Sequence, residues 1–564
     1  MQSRTFYFKK ELLKQSFRST GWIGIAYFVV LVFLFPLQIL MNVTSEELQH
    51  DPLYYEGVEN IFETNGVLHA LLMITVPVLA ALFAFRYLQV RGFADFVHSL
   101  PIKRSSLFHQ HFMMGYLNLL IPLLLNGLLM YMMERTMNVD EFFSTHDIGS
   151  WLIYSIVMVS IIYSFTVLVG MITGISAVQL VLSYIFLIFP AGILTLLYRN
   201  LGMLLKGFSP GINWQDQAYR FSPISRSIEM SNFEVKDVEL WIFSILAIVC
   251  YVLALVLYRV RSIEAASQAL AFPFLKPIFK FGVTFCFMLL GGAYFESVPG
   301  NYIGWITFGY IFGAFLGYLL AEMLIQKTWR IWGKWKGLLI YISISMIVLA
   351  SIVFDWFGYV DRVPQAHSIE GIEVIDEMMF HHNALDLEID DPSIMTAKAD
   401  IEAILDLHEA LIASDLVKEN TQYHKDYISK LYFTYYLENG NKMKRQYCVP
   451  DTAEFKELLA PIYEEEVFKK MNRPWLFLDK ADYSQITIHV RDREPQNIFD
   501  PRMIEQIVEQ IRKDYLALNY EEVQQISNAT VMIDLILDEQ GNFFYMEVPS
   551  SYENTLEFIS ENFN

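Results

Sequence analysis

Nine apolar runs crowd the first 356 residues, and the last 208 contain none. They cover 21–41, 68–88, 112–133, 151–175, 177–198, 239–258, 281–295, 303–325 and 337–356. About 20 such residues cross a bilayer as a helix. A stretch such as "WLIYSIVMVSIIYSFTVLVGMITG" therefore predicts a membrane span, and 281–295 is the shortest of the set. The row predicts a polytopic all-α membrane domain of about nine transmembrane helices. Ahead of it, "RTFYFKKELLKQSFRST" (4–20) places Phe6, Leu13 and Phe17 at helical spacing with lysines on other faces. That pattern predicts an amphipathic helix on the membrane surface. Spans four and five nearly abut, which predicts a tight hairpin. The loop 199–238 carries aromatic and Pro-Gly signals and is expected to hold a short re-entrant helix.

Beyond residue 356 the pattern changes to short alternating stretches between amphipathic helices, which predicts a soluble α+β domain. Its two halves share an order of marks. The first runs through "IEGIEVID" (369–376), Asp391-Pro392, a helix over about 397–415, "KLYFTYYLE", an Asn439-Gly440 turn, Val449-Pro450 and the helix "TAEFKELLAPIYEEE". The second runs through "SQITIHV", Asp500-Pro501, a helix over about 502–516, "ATVMIDLILDE", a Gly541-Asn542 turn, Val548-Pro549 and a helix from about 552. Asp-Pro suits a helix start and Asn-Gly suits a tight hairpin. The expectation is two β-α-β-β-α repeats.

Charge divides the chain at the same place. Residues 1–356 hold 21 acidic and 23 basic side chains, whereas 357–564 hold 40 acidic and 18 basic, so the carboxyl-terminal domain carries nearly all of the formal −20. Cytoplasmic loops collect Lys and Arg. Of the 23 basic residues, 17 lie at the amino end and in the loops after spans two, six and eight, all on one side. The amino terminus is therefore expected in the cytoplasm and, with nine spans, the acidic domain outside a plasma membrane. An acidic outer surface repels anionic headgroups and attracts cations or basic peptides, although acidity also serves solubility. The three cysteines, Cys250, Cys286 and Cys448, build neither a disulfide framework nor a metal cluster. The amino end shows no cleavable signal pattern.

Catalytic motifs are missing: there is no nucleotide-binding G-x-x-x-x-G-K-[ST] loop, no G-x-S-x-G and no H-E-x-x-H. No catalytic residue, metal site, cofactor or nucleic-acid partner is expected in this chain. His381-His382 near Asp386 and Glu388 reads as a solvated pair. His109 and His111 are expected at the headgroups. Glu322, Arg86 and Asp355 sit at span ends. The span centres lack the ionisable relay of a proton-coupled carrier. Gly309, Gly313 and Gly317 in span eight, and Gly170 and Gly174 in span four, recur every four residues. Such stripes let helices approach closely, within the chain in preference to across a dimer seam.

The segment with most to say is the inner loop 91–111. "FADFVHSL" reads as a short helix with Phe93, Phe96 and Leu100 near one face, followed by Pro101, Lys103, Arg104, Ser105 and Ser106. A short helix standing off the membrane can dock into a groove of a cytoplasmic partner. With the amino-terminal helix, "DFVHSLPIKRSSLF" after span two and "RSIEAASQALAF" after span six, residues 1–280 resemble permease subunits of type-2 ABC transporters of Gram-positive bacteria. The resemblance implies that Phe93, Phe96, Leu100, Lys103 and Arg104 belong to a coupling helix that meets a separate cytoplasmic ATPase subunit, which binds the ATP and Mg. It also implies a second permease chain or a homodimer in the bilayer. It divides the chain into an interfacial helix (1–20), a six-helix permease core (21–260), a cytoplasmic loop with three additional spans (261–356) and an acidic extracytoplasmic domain (357–564). The three extra spans and the acidic domain depart from the plain six-span pattern. The expected function is ATP-driven movement of an amphipathic, lipid-like or peptide substrate. An envelope sensor, whose outer domain binds a ligand without transport, is the alternative. An extracellular hydrolase ranks third, for want of a nucleophile with a base.

Overall fold

The computed structural model describes residues 10–44, 66–137, 143–212, 214–228, 237–296, 298, 303–330, 335–380, 394–414, 427–478, 483–490, 494–524, 531–537 and 543–563. The chain forms two compact units: residues 1–197 with 215–341, and residues 198–214 with 342–564.

The first unit is helical. Its elements are α1 (Lys10–Leu34), α2 (Pro36–Thr44), α3 (Gly66–Ala84), α4 (Arg91–Ser99), α5 (Arg104–Thr136), α6 (Thr145–Ile172) and α7 (Ser176–Leu204), whose last turns enter the second unit. After α8 (Trp214–Tyr219) and α9 (Pro223–Ile228) come α10 (Asp237–Val260), α11 (Leu275–Glu296), α12 (Ile303–Gln326) and α13 (Trp335–Val353), which from Ile342 onward belongs to the second unit. Among the described residues, nine helices are long and apolar enough to cross a membrane, including Leu275–Glu296 at the weakest segment. Proline stands inside α3 (Pro77), α5 (Pro122) and α7 (Pro190) without ending the helix, as neighbouring helices allow in membrane bundles.

The surface helix expected over 4–20 differs in its described part. Residues 10–20 are the first turns of α1 and run unbroken into the first span, because nothing interrupts the helix before Pro36. Thr20 is buried there and accepts a hydrogen bond from Asn118 Nδ2 at 2.7 Å. Residues 4–9 lie outside the described residues. In the 199–238 loop, α8 and α9 are six residues each, about 9 Å at 1.5 Å per residue, too short to re-enter far. Arg226 on α9 pairs with Glu239 at 2.8 Å.

The glycine stripes have identifiable neighbours. Gly309 on α12 faces Gly291 on α11, and Gly313 and Gly317 face Phe287; a Cβ at any of the three would overlap those atoms. Gly170 rests on the Gln179 side chain. Gly174 lies past the end of α6, against the backbone of Ala265 and Gln268, so it extends a loop contact and no helix stripe. Glu322 is buried and paired with Lys280 at 3.4 Å.

The second unit holds β1 (Ile369–Asp376), α14 (Lys398–Ala413), β2 (Tyr427–Leu437), β3 (Lys442–Pro450), α15 (Ala453–Glu464) and α16 (Glu466–Asn472), then β4 (Tyr483–Val490), β5 (Gln496–Ile498), α17 (Pro501–Ala517), α18 (Tyr520–Gln524), β6 (Val531–Leu537), β7 (Phe543–Val548) and α19 (Glu553–Asn562). Two antiparallel sheets result, ordered β1-β2-β3 and β5-β4-β6-β7. Both halves follow the β-α-β-β-α order with the same strand neighbours; the second adds β5 and α18. α14 buries Ile401, Ile404, Leu407 and Leu411, and α17 buries Ile504, Ile507, Val508 and Ile511, each at helical spacing in a common apolar core. Asp500 caps α17 by accepting from the Arg502 amide at 3.0 Å, with Pro501 in the first turn. Gly440 has φ +76° in the first hairpin. Asp391-Pro392, Gly541-Asn542, His381-His382, Asp386 and Glu388 lie outside the described residues.

Residues 205–214 belong to this unit by contact. Phe208 bridges Arg445 on β3, and the Gln446 amide donates to the Gly207 carbonyl at 3.3 Å. Lys206 Nζ donates to the carbonyls of Ile412 and Ser414 at the end of α14. Arg445 also donates to the Tyr359 carbonyl at 2.9 Å and stacks on the Tyr359 ring, just after the last span.

Candidate coupling surface

α4 is nine residues long and ends before Pro101, which holds Leu100 in extended backbone. Its amphipathic face is turned inward at Ala94 and Val97, which are buried. Phe93 and Phe96 point away and are 54 and 58 % exposed. Aromatic rings so exposed on an anchored helix are a ready contact for a partner groove. Lys103, in the cap position of α5, is exposed as well, and Leu100 is half-buried.

Arg104 is placed differently from its neighbours in sequence. Its guanidinium donates to the carbonyls of Arg259 (3.2 Å) and Arg261 (2.9 Å), at the end of α10. Arg261 in turn donates to Gly170 O (2.6 Å), Met171 O (3.1 Å) and Leu88 O (3.2 Å). Burial pushes its pKa down to about 10, which still leaves it charged at neutral pH. Arg104 thereby closes the end of α10, and the buried Arg261 closes the end of α6 and the turn before α4, satisfying carbonyls that a helix end leaves open.

A second chain of bonds reaches α4 itself. The His98 Nδ1–H donates to Ala94 O at 2.7 Å, which leaves Nε2 to accept from the Tyr258 hydroxyl at 3.2 Å. Tyr258 accepts from Tyr87 OH at 3.1 Å. Burial, with Arg104 and Arg261 nearby, lowers the His98 pKa and favours the neutral imidazole this chain requires. A cavity of about 10 Å³, room for one water, is lined by Ala94, His98, Tyr258 and Arg261.

The segment after α10 is stitched to the same base. Arg91 Nε donates to Ala266 O at 3.5 Å, the Ser267 amide to Gly174 O at 2.7 Å and the Ala271 amide to Ile172 O at 2.8 Å. Lys327 donates to the Ser267 carbonyl, and Gln89, Ser176 and Gln179 are joined by side-chain hydrogen bonds. The two segments singled out in the sequence, 91–111 and 261–272, thus meet in one surface. Its fasteners, His98, Tyr258 and Arg261, carried no sequence signal beyond the position of Arg261 at the start of "RSIEAASQALAF". Apart from the His98–Ala94 bond within α4, what they fasten lies 90 to 173 residues away in sequence.

Comparison with known proteins finds similarity to the probable ABC transporter permease YtrD of Bacillus subtilis (strain 168). The two are 26% identical over 258 residues, 43% of this chain and 73% of the relative. No family model and no solved structure matches the chain. The nine span-capable helices among the described residues and this similarity fit a permease-like membrane protein.

Proposed function

We propose that this chain is the membrane subunit of an ATP-driven transporter and that α4, with residues 261–274, is where cytoplasmic ATPase subunits engage it. The observation that carries the reading is the pairing of exposed Phe93 and Phe96 with a base bonded to the ends of α6 and α10. A push on α4 is passed to the spans through fixed hydrogen bonds and is not absorbed by a loose loop. ATP and Mg sit on the partner, and this chain supplies no catalytic group. A second permease chain completes the path, and the cargo is amphipathic, lipid-like or peptide, consistent with spans that carry few charges.

The proposed orientation places the amino terminus in the cytoplasm and the acidic unit outside. Two observations support it. The basic residues cluster on alternate loops. In addition, Lys206 and Phe208, just past the fifth span, contact Ser414 and Arg445, beyond the last span, so the chain between them crosses an even number of times. The four helices α10 to α13 meet that condition, whereas three crossings would not.

The test is reconstitution of the chain with a separate nucleotide-binding ABC subunit. ATPase activity should require both proteins, and Phe96→Asp should abolish co-purification while leaving the melting of the permease unchanged. Full ATPase stimulation by the Asp variant would place the contact elsewhere.

A further inference from the structure

Where α15 passes α18 in the second unit, a cleft of about 870 Å³ opens, lined by Tyr427, Ile428, Asp451, Lys456, Glu457, Ala460, Glu464, Asn519, Tyr520 and Glu521. We propose that this cleft binds a lysine or arginine side chain of a basic peptide, a function separate from the coupling surface and independent of the transport reading.

Three features carry the assignment. The first is charge: four carboxylates face one ammonium, and that ammonium, Lys456 Nζ, already lies 2.6 Å from Asp451. Both partners are about half exposed, so the pair is held weakly and can be exchanged. Lys456 thus occupies, from within the chain, the place an incoming cation would take. Glu457 and Glu464, on the same helix, stand along the same wall.

The second is Tyr520. It is 7 % exposed, its ring lines the cleft, and its hydroxyl has no hydrogen-bond partner among the described residues. Burial and the Asp451 carboxylate keep that phenol protonated, so it is a donor lacking an acceptor. A buried donor of this kind is destabilising while its bond is unmade. A peptide carbonyl entering behind its cationic side chain, as Lys456 swings off Asp451, would supply the acceptor.

The third is size and lining. Among the described residues no three His, Cys, Asp or Glu side chains come together to hold a metal ion. The cleft is far larger than an ion, and Tyr427, Ile428, Ala460 and the Tyr520 ring give it an apolar wall. Carboxylates beside aromatic faces suit an organic cation on an aliphatic stem.

The experiment uses the full chain in nanodiscs of phosphatidylcholine, a neutral lipid, titrated calorimetrically with acetyl-Lys-Ala-Lys-Ala-Lys-amide, with empty nanodiscs subtracted. Binding should weaken about tenfold or more in a Glu457→Gln, Glu521→Gln double variant, and should also weaken in Tyr520→Phe. It should tighten in Lys456→Ala, which removes the internal competitor. Lys398→Ala, the same loss of charge at an exposed position of α14, should leave it unchanged. No heat from the parent protein would overturn the proposal. So would equal weakening by Asp400→Asn with Glu402→Gln, which would assign the attraction to the overall charge of the domain. The tested carboxylates are on the surface, and unchanged thermal melting of each variant confirms that the fold is retained.

Discussion

The ammonium of Lys206 lies 2.7 Å from the carbonyl oxygen of Ser414, so a residue just past the fifth span closes the end of a helix 208 positions later. A second bond, 2.8 Å to Ile412 O, makes the contact bidentate. Lysine suits this place because a helix C-terminus concentrates open carbonyls and partial negative charge. Lys206→Met should therefore destabilise the end of α14 by about 1–3 kcal/mol. Hydrogen exchange over residues 405–414 should accelerate accordingly, with β4 and β6 unaffected. Uniform acceleration through the unit would mean that the contact supports the whole domain.

A topological prediction follows from the contacts of Lys206 and Phe208 with Ser414 and Arg445. Single cysteines at Ser550 and at His146, the latter after the third span, should both react with a membrane-impermeant thiol reagent in intact cells. Labelling of His146→Cys alone would require an odd number of crossings between them.

The α11–α12 contact should be intolerant of volume. Gly313→Val places a branched side chain where Phe287 backbone already lies, and overpacking of this kind costs about 1–3 kcal/mol. Gly304→Val on the same helix meets nothing within 4 Å and should be nearly silent. Similar losses of thermal stability in both variants would point to helix propensity as the cause.

His408 gives the second unit a pH dependence of definite sign. It is buried between the hydroxyls of Tyr435 (2.8 Å) and Tyr447 (3.0 Å). Burial, assisted by Arg445, pushes its pKa down to about 4 from an unfolded value near 6.5. The unfolded chain then binds more protons between those values. The contribution is complete above about pH 6.5 and lost as pH falls to about 4, on the order of 3 kcal/mol. Burial raises the carboxyl pKa of Asp376, which works in the opposite direction. Subtracting the profile of His408→Gln cancels that term and should leave the acid-side loss of the parent alone. A flat difference would mean that His408 charges without cost.

Transmission through Tyr258 should be separable from docking. Tyr258→Phe removes the hydroxyl that His98 accepts from and keeps the ring. With the ATPase partner, complex formation should persist while ATP-driven transport falls several-fold. Loss of complex formation would instead make Tyr258 part of the contact that holds the partner.

By itself, the amino-acid sequence determined the membrane row, the acidic α+β domain and the two exposed aromatics of α4. Each depends on local periodicity, which a bilayer or a core reads directly. The repeated strand and helix order was legible for the same reason, since alternation and capping marks act within a few residues. The partners of the glycines were decided only in three dimensions. Gly309, Gly313 and Gly317 look like Gly170 and Gly174 in spacing, yet the first set faces α11 and the second meets a side chain and a loop. The fasteners of the proposed coupling surface likewise belong to tertiary structure. Arg261, His98 and Tyr258 act on groups far along the chain, and spacing along one helix carries no information about carbonyls presented by another. Lys206 is the extreme case: in sequence it is one charge in a loop, and only folding brings it to the open carbonyls that give it a role.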